Sequence, residues 1–328
     1  MMPSSEVIHP PIPTVEVTHD VKRVTIEGLV MLKLVNHCQN SLPQMATGQL
    51  LGLDVAESLE VTNCFPFIHR EAEFRPRDGQ EEEAEREARD YQYEMLKSLR
   101  EVNVDCNAVG WYCSIWQEGY LSTNVIETQY DYQKELGANA VCLVFDPLKT
   151  TQGKLCIKAL RLKKKFMDMY KAGDFTQEAI KENKLTYEDI FEELPLQIKN
   201  NSLTDVFISE LAGSKYFNDH SCLEDSPELE TTGYISYGLE GVVEGCDDLQ
   251  QTTQKYLYDH RKWKQSQSYH EAGQKPVTKP SRLESILLSK QMMNHCTYLE
   301  ELGTANFQNL YFADALQKVA TDGSRDSS

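Results

Sequence analysis

Basic charge is in short supply in this chain. Lys and Arg together number 33 against 51 Asp and Glu, a formal net charge of −18. Phosphate affinity comes from clustered Lys and Arg, so the balance excludes a non-specific nucleic-acid binder. The most basic run, Arg161-Leu162-Lys163-Lys164-Lys165, is either a local RNA contact or, as charge runs usually are, a solvated strand end. Long apolar runs are missing too: none approaches the roughly 20 residues that span a bilayer. The N-terminal stretch has no apolar signal core and is Pro-rich instead, and no Cys-x-x-Cys pair occurs among the 9 cysteines. An odd cysteine count without a secretory signal points to reduced thiols in the cytosol.

What is present is enough chain, 328 residues, to bury the core of one or two domains. Residues 1–20, with Pro3, Pro10, Pro11 and Pro13, read as a disordered leader. Over residues 21–165 short β-rich runs alternate with helices, predicting an α/β core. The strand candidates are Val24-Thr25-Ile26, Leu50-Leu51-Gly52-Leu53, Leu59-Glu60-Val61-Thr62, Ala108-Val109-Gly110-Trp111 and Val141-Cys142-Leu143-Val144-Phe145, and Gly28 to Cys38 is a helix candidate. Arg75-Pro76-Arg77-Asp78-Gly79 reads as an exposed turn, and Glu81 to Arg100 as a helix laced with Glu–Arg pairs. Tyr91, Met95, Leu99 and Val102 share one face of it, as core or partner contact.

After about Lys165 the pattern turns helical. Asp174 is the expected cap of a helix from Phe175 to Lys184, and Thr186-Tyr187-Glu188-Asp189 and Ser202-Leu203-Thr204-Asp205 resemble capping signals. Residues 166–265 form a helical extension with a long heptad helix, its seam running Leu239, Val242, Cys246, Leu249, Thr253, Tyr256, His260, Trp263. Gly241 and Gly245 each weaken an isolated helix by about 1 kcal/mol, so packing must hold it. His260 reads as a solvated or hydrogen-bonded flank residue rather than a switch or ligand. Residues 266–280 read as a linker, 281–320 as assembly helices and 321–328 as a disordered tail. The assembly stripe is Leu283, Ile286, Leu287, Met293, Leu299 and Leu302. Gly303 is expected to end that helix, with Phe307, Leu310, Tyr311 and Leu316 as a second apolar segment. Exposed on a monomer, so much apolar surface is an aggregation liability; covered by partners, it is an assembly device.

The run Val109-Gly110-Trp111-Tyr112-Cys113-Ser114-Ile115-Trp116, followed by Leu121-Ser122 and Val125, resembles the site of the MPN family, the JAMM zinc metalloproteases and their inactive relatives. In that family a Gly-Trp-Tyr-like strand leads into His-Ser-His-Pro, then a Ser and an Asp, with a Glu upstream. Aligned to it, the two His positions are Cys113 and Ile115, the Pro position is Trp116, the Asp position is Val125 and the Glu position is Met45. Ser122 matches, at the cost of a one-residue deletion. A catalytic zinc needs about three protein ligands and an open position for water. Ile115 and Val125 have no lone pair, Met45 is no base, and Cys113 alone cannot hold the metal. As a nucleophile Cys113 needs a base, and the flanking motif has no His; a small buried hydrophobe is the plainer reading, and for Ser122 a turn hydroxyl. The resemblance implies an MPN fold, a mixed sheet with flanking helices, followed by an all-α C-terminal extension, with no catalysis, metal or cofactor.

Further matches extend this. Gly28-Leu29-Val30-Met31-Leu32-Lys33, Leu59 to Phe67, Phe145 to Thr150 with Gly153, Phe191 to Pro195, Ile198-Lys199-Asn200, Arg282 to Leu287 and Leu316-Gln317 resemble one family among the components of eukaryotic translation initiation factor 3, its h subunits. The polar stretch from Trp263 to Pro280 departs from it, being shorter and poorer in Gln and Arg. The resemblance implies a non-catalytic, cytoplasmic structural subunit that supports the 43S preinitiation complex on the small ribosomal subunit. It implies partners in the second MPN component (the f subunit) and the PCI-domain subunits, and mRNA indirectly. Partner contacts are then expected at Tyr91, Met95 and Leu99; at Leu239, Val242, Leu249 and Tyr256; and at Leu283, Ile286, Leu287, Leu299 and Leu302. The alternatives are an MPN-type isopeptidase, opposed by the missing ligands, and an inactive MPN subunit of the proteasome lid or signalosome, opposed by the C-terminal matches.

Overall fold

The computed structural model describes residues 20–67, 81–115, 120–151, 155–213, 232–268 and 281–325. The charged turn at 75–79, Trp116, the 269–280 part of the linker and nearly all of the leader lie outside the described residues. In chain order the elements are β1 (Arg23–Glu27), α1 (Gly28–Asn40), β2 (Thr47–Val55), β3 (Ser58–Pro66), α2 (Glu81–Glu101), β4 (Ala108–Ser114), α3 (Thr123–Glu135), β5 (Val141–Phe145) and α4 (Pro147–Thr151). There follow β6 (Ile157–Leu162), α5 (Lys164–Ala172), α6 (Gln177–Glu182), β7 (Phe191–Leu194), β8 (Leu196–Lys199), α7 (Ser202–Gly213), α8 (Thr232–Ser268) and α9 (Leu283–Arg325).

The strands form one mixed sheet in the order β7-β6-β5-β4-β2-β3-β1-β8. β4 and β5 run parallel, as does β1 with β3 and β8, and the remaining pairs are antiparallel. Strand periodicity, interrupted in β4 by a bulge at Val109 opposite Leu50 and Leu51, sorts the side chains into two cores. Val109, Tyr112, Val141, Leu143 and Phe145 face α1, which contributes Val30, Met31, Leu34 and Cys38. Trp111, Cys113, Cys142 and Val144 face the other way, against Val125 and Ile126 of α3 and Phe166 and Met169 of α5. Because both faces are covered, all of β5 is buried and reads as a continuous apolar run.

Two edge strands come from beyond Lys165, so the expected domain boundary there cuts through the sheet. Neither β7 nor β8 stands out in the sequence, because both are short and edge-placed: Phe191-Glu192-Glu193-Leu194 does not alternate, and Leu196-Gln197-Ile198-Lys199 alternates over only four residues, directly after Pro195. Asn200, just past β8, accepts a 3.1 Å hydrogen bond from the Gly28 N–H and so caps α1. The caps differ in detail from expectation. Thr176, not Asp174, caps α6 through the Ala179 N–H, while Thr186 and Asp189 do form a reciprocal capping box. Three of the four basic side chains in the run have acidic partners within the chain. Arg161 is buried, with ion pairs of 2.8 Å to Glu192 and 3.0 Å to Asp20, and Lys163 and Lys165 reach Asp189.

α8 and α9 lie against each other as a helical hairpin. The expected seam is shifted at alternate positions: Val242, Leu249, Tyr256, His260 and Trp263 are at least half-buried, but Leu239, Cys246 and Thr253 are exposed or nearly so. Gly238 and Gly245 take the seam instead, because a Cβ there would come within 2.7 Å of Leu299 and 2.3 Å of Met292. The glycines let α9 side chains seat against α8 backbone. Tyr256 carries the Arg282 guanidinium 4.5 Å above its ring, and His260 is stacked between Tyr256 and Trp263. Nor does Gly303 end a helix; α9 runs through it to Arg325.

The β4–β5 pairing depends on one missing side chain. A Cβ on Gly110 would sit 2.0 Å from the Val141 carbonyl oxygen, a backbone atom that cannot swing aside. Gly110→Ala is expected to lower stability by about 2–3 kcal/mol, as overpacking against an unyielding neighbour does. Urea unfolding checks this, and a midpoint equal to wild type would contradict the close approach.

Candidate functional site

β4 delivers Cys113 and Ser114 to the carboxyl end of the sheet, and α3 begins nearby at Ser122. Cys113 is fully buried with its Sγ 3.8 Å from that of Cys142 on the parallel neighbour β5. Ile115 and Val125 are buried in the same apolar cluster, with Tyr120, Leu121 and Ile126. The Ser122 hydroxyl accepts from the Val125 N–H at 3.3 Å, so its role is the N-cap of α3. Met45 stands apart: its side chain is 50% exposed, although its neighbour Ala46 is pinned to β4 by a 2.7 Å bond from its N–H to the Ser114 Oγ. The structure thus gathers Cys113, Ile115 and Val125 into one cluster and leaves Met45 outside it. Among the described residues no three His, Cys, Asp or Glu side chains gather as a metal site.

Burial governs the chemistry of this region. It holds the Cys142 thiol well above the ordinary range, with Cys113 beside it adding to the effect, and pushes the Cys64 and Cys38 thiols up to about 11 and about 12. A thiolate is the reactive form of cysteine, so these three thiols are held inert. What polarity remains is structural. Gln129, fully buried on α3, accepts from Trp111 Nε1 at 2.8 Å and donates to the Ala140 carbonyl at 2.9 Å, locking α3 to β4. Gln133 does the same toward β6, accepting from the Leu162 N–H at 2.9 Å. Neither glutamine is distinguishable in the sequence from a surface residue of a polar helix.

The expected partner stripes are distributed unevenly. Tyr91, Met95 and Leu99 are half-buried on α2, with Tyr91 edge-on to Phe65 at 6.3 Å, whereas Val102 is 71% exposed. Leu239 is exposed, while Val242, Leu249 and Tyr256 pack within the hairpin. Leu287 and Leu302 are buried, and Leu283 and Ile286 pack on the cluster that holds Cys113. That corrects the reading of 281–320 as a free assembly stripe: its first half is occupied by the chain's own α/β unit. Sequence reasoning missed the groups that fix it there, Tyr120, Lys149 and Asn294.

A burial pattern of this kind is readable by thiol chemistry. Cys246 and Cys296 are exposed on the hairpin and are expected to label within the dead time of a maleimide reaction, while Cys113 and Cys142 label only after unfolding. Peptide mapping checks the order, and Cys113 labelling in the folded chain as fast as Cys246 would contradict the packed site.

Known proteins resemble the chain over both of its parts. A family described as "JAB1/Mov34/MPN/PAD-1 ubiquitin protease" matches residues 19–137, and one described as "C-terminal region of eIF3h" matches residues 150–275. The H subunit of eukaryotic translation initiation factor 3 from Arabidopsis thaliana is 36% identical over 323 residues, covering 89% of this chain and 92% of that protein. The Dictyostelium discoideum H subunit is 36% identical over 311 residues, covering 90% and 94%. The H-B subunit of Danio rerio is 33% identical over 327 residues, again covering 90% and 94%. The similarity thus runs through the MPN sheet and the helical extension alike, and the chain belongs to the family of H subunits of eukaryotic translation initiation factor 3.

Proposed function

We propose that this chain is a non-catalytic structural subunit of the translation initiation factor 3 complex, working in the cytoplasm to support assembly of the 43S preinitiation complex. The observation that carries the non-catalytic part is the chemistry of the family's metal positions: Cys113, Ile115 and Val125 sit in an apolar cluster and Met45 lies outside it, half exposed. A zinc-bound water needs several lone-pair donors and an open coordination position, and an apolar cluster supplies neither. Membership of the complex is supported by similarity to proteins named as its H subunit along nearly their whole length. No helix among the described residues is long and apolar enough to cross a membrane.

In this reading the MPN unit pairs with the MPN domain of the f subunit, and helical partners of the PCI class engage the far end of α9. Beyond its buried first half that helix carries Phe307, Leu310, Tyr311 and Phe312, exposed by 76, 67, 75 and 65%. Aromatic and aliphatic side chains clustered on one helix are the usual anchors of a helical interface. The α2 stripe contributes less than the sequence suggests, since its apolar residues are already half-covered.

Two measurements test the proposal. The purified protein is expected to carry no stoichiometric zinc by plasma mass spectrometry and to leave di-ubiquitin uncleaved; one zinc per chain with chelator-sensitive turnover would sink the non-catalytic reading. Tagged Leu310→Asp/Tyr311→Asp is expected to recover at least about tenfold less of the other initiation-factor subunits than wild type, because a charge buried at a helical interface is costly. Both positions are exposed, so its thermal unfolding stays at the wild-type temperature. Full recovery would show that the complex is held elsewhere.

A further inference from the structure

We infer that the first half of α9 is a built-in strap that closes the mouth of the metal-less site, so that the chain's own C-terminal helix occupies the place from which a substrate would be approached. The inference rests on reading the Cys113–Val125 region as an MPN cleft without ligands. Its independent basis is the path of α9. In open α/β sheets the loops at the carboxyl ends of parallel strands are where ligands sit. Here the one parallel pair in the middle of the sheet is β4–β5, whose carboxyl-end segments lead to α3 and into α4.

α9 is fastened to both of these segments. Its approach is fixed where the Arg282 N–H donates to the Phe175 carbonyl at 3.0 Å, between α5 and α6. Leu287 then enters the cluster that contains Cys113, Ile115, Leu121 and Val125. Two turns on, the buried Asn294 donates from Nδ2 to the Tyr120 hydroxyl at 3.1 Å, and Tyr120 belongs to the segment between β4 and α3. Further along, the Lys149 Nζ of α4 lies 4.7 Å from the Tyr298 ring centroid and 4.0 Å from Glu301. Lys149 is almost wholly buried. A buried lysine needs compensation for its lost hydration, and the ring and carboxylate that supply part of it belong to α9. The strap is therefore specific, with polar fastenings at each crossing and an apolar plug at Leu287.

A strap of this kind shields the segment under it from solvent exchange. In the full-length chain, amides of residues 120–126 are expected to be protected from hydrogen–deuterium exchange. Leu287→Asp, which places a charge in the plug, should speed their exchange by about tenfold or more as the strap lifts. Tyr120→Phe, which removes the hydroxyl that Asn294 donates to, should do so by a smaller factor. Tyr258→Ser, on the exposed outer face of α8, should leave their exchange at the wild-type rate. Circular dichroism separates strap release from unfolding, and if Leu287→Asp unfolds the whole chain, Tyr120→Phe decides. Exchange at 120–126 that stays at the wild-type rate in folded Leu287→Asp, or in Tyr120→Phe, would overturn the strap. The measurement uses neither metal nor ubiquitin, so its failure is distinguishable from a failure of the non-catalytic reading.

Discussion

A cavity that holds a hydrated metal must stay open and polar, and this fold has closed the corresponding place with hydrocarbon. Cys113, Ile115 and Val125 lie in the cluster that joins β4 and β5 to α3, α5 and the start of α9. Burying each such side chain contributes about 1.5–3 kcal/mol of gross stabilisation, whereas an unpaired ligand in the same volume costs a comparable amount or more. The exchange of ligands for hydrocarbon thus turns a reactive edge of the sheet into part of its core. Much else depends on that dryness. Gln129 and Gln133 satisfy the backbone and indole donors that water would otherwise serve, and the thiols of Cys113 and Cys142 lie in contact within the same apolar packing.

The sheet interior was legible because it obeys a rule the sequence carries directly: a strand buried on both faces reads as an unbroken apolar run, as Val141 to Phe145 does. The edge of the sheet was not legible. β7 and β8 are four residues each, the first without alternation and the second with it over four residues only, too short a pattern to mark a strand beside Pro195. The α8 seam was half legible: a heptad pattern assumes that apolar residues mark contact, but Gly238 and Gly245 make contact by having no side chain. Apolar stripes, finally, show that a face is to be covered without showing by what. The pattern points Leu287 and Leu302 toward partners, and the chain covers them itself.

The continuity of α9 gives that last point mechanical content. A long helix bends only gently unless something interrupts it, and Gly303, where a break was expected, lies within α9 with open space where a Cβ would project. The buried half, from Leu283 to Leu302, and the exposed half, carrying Phe307 to Phe312, are therefore one lever. Whatever binds the distal aromatics receives them in an orientation fixed by Asn294 on Tyr120 and by Lys149 against Tyr298. Positioning by a rigid element also lowers the ordering cost of association. The packing beside the degenerate metal positions and the exposed distal aromatics are thus two ends of the same helix. A residue under the strap, far from any partner, then sets how well the distal surface is aimed.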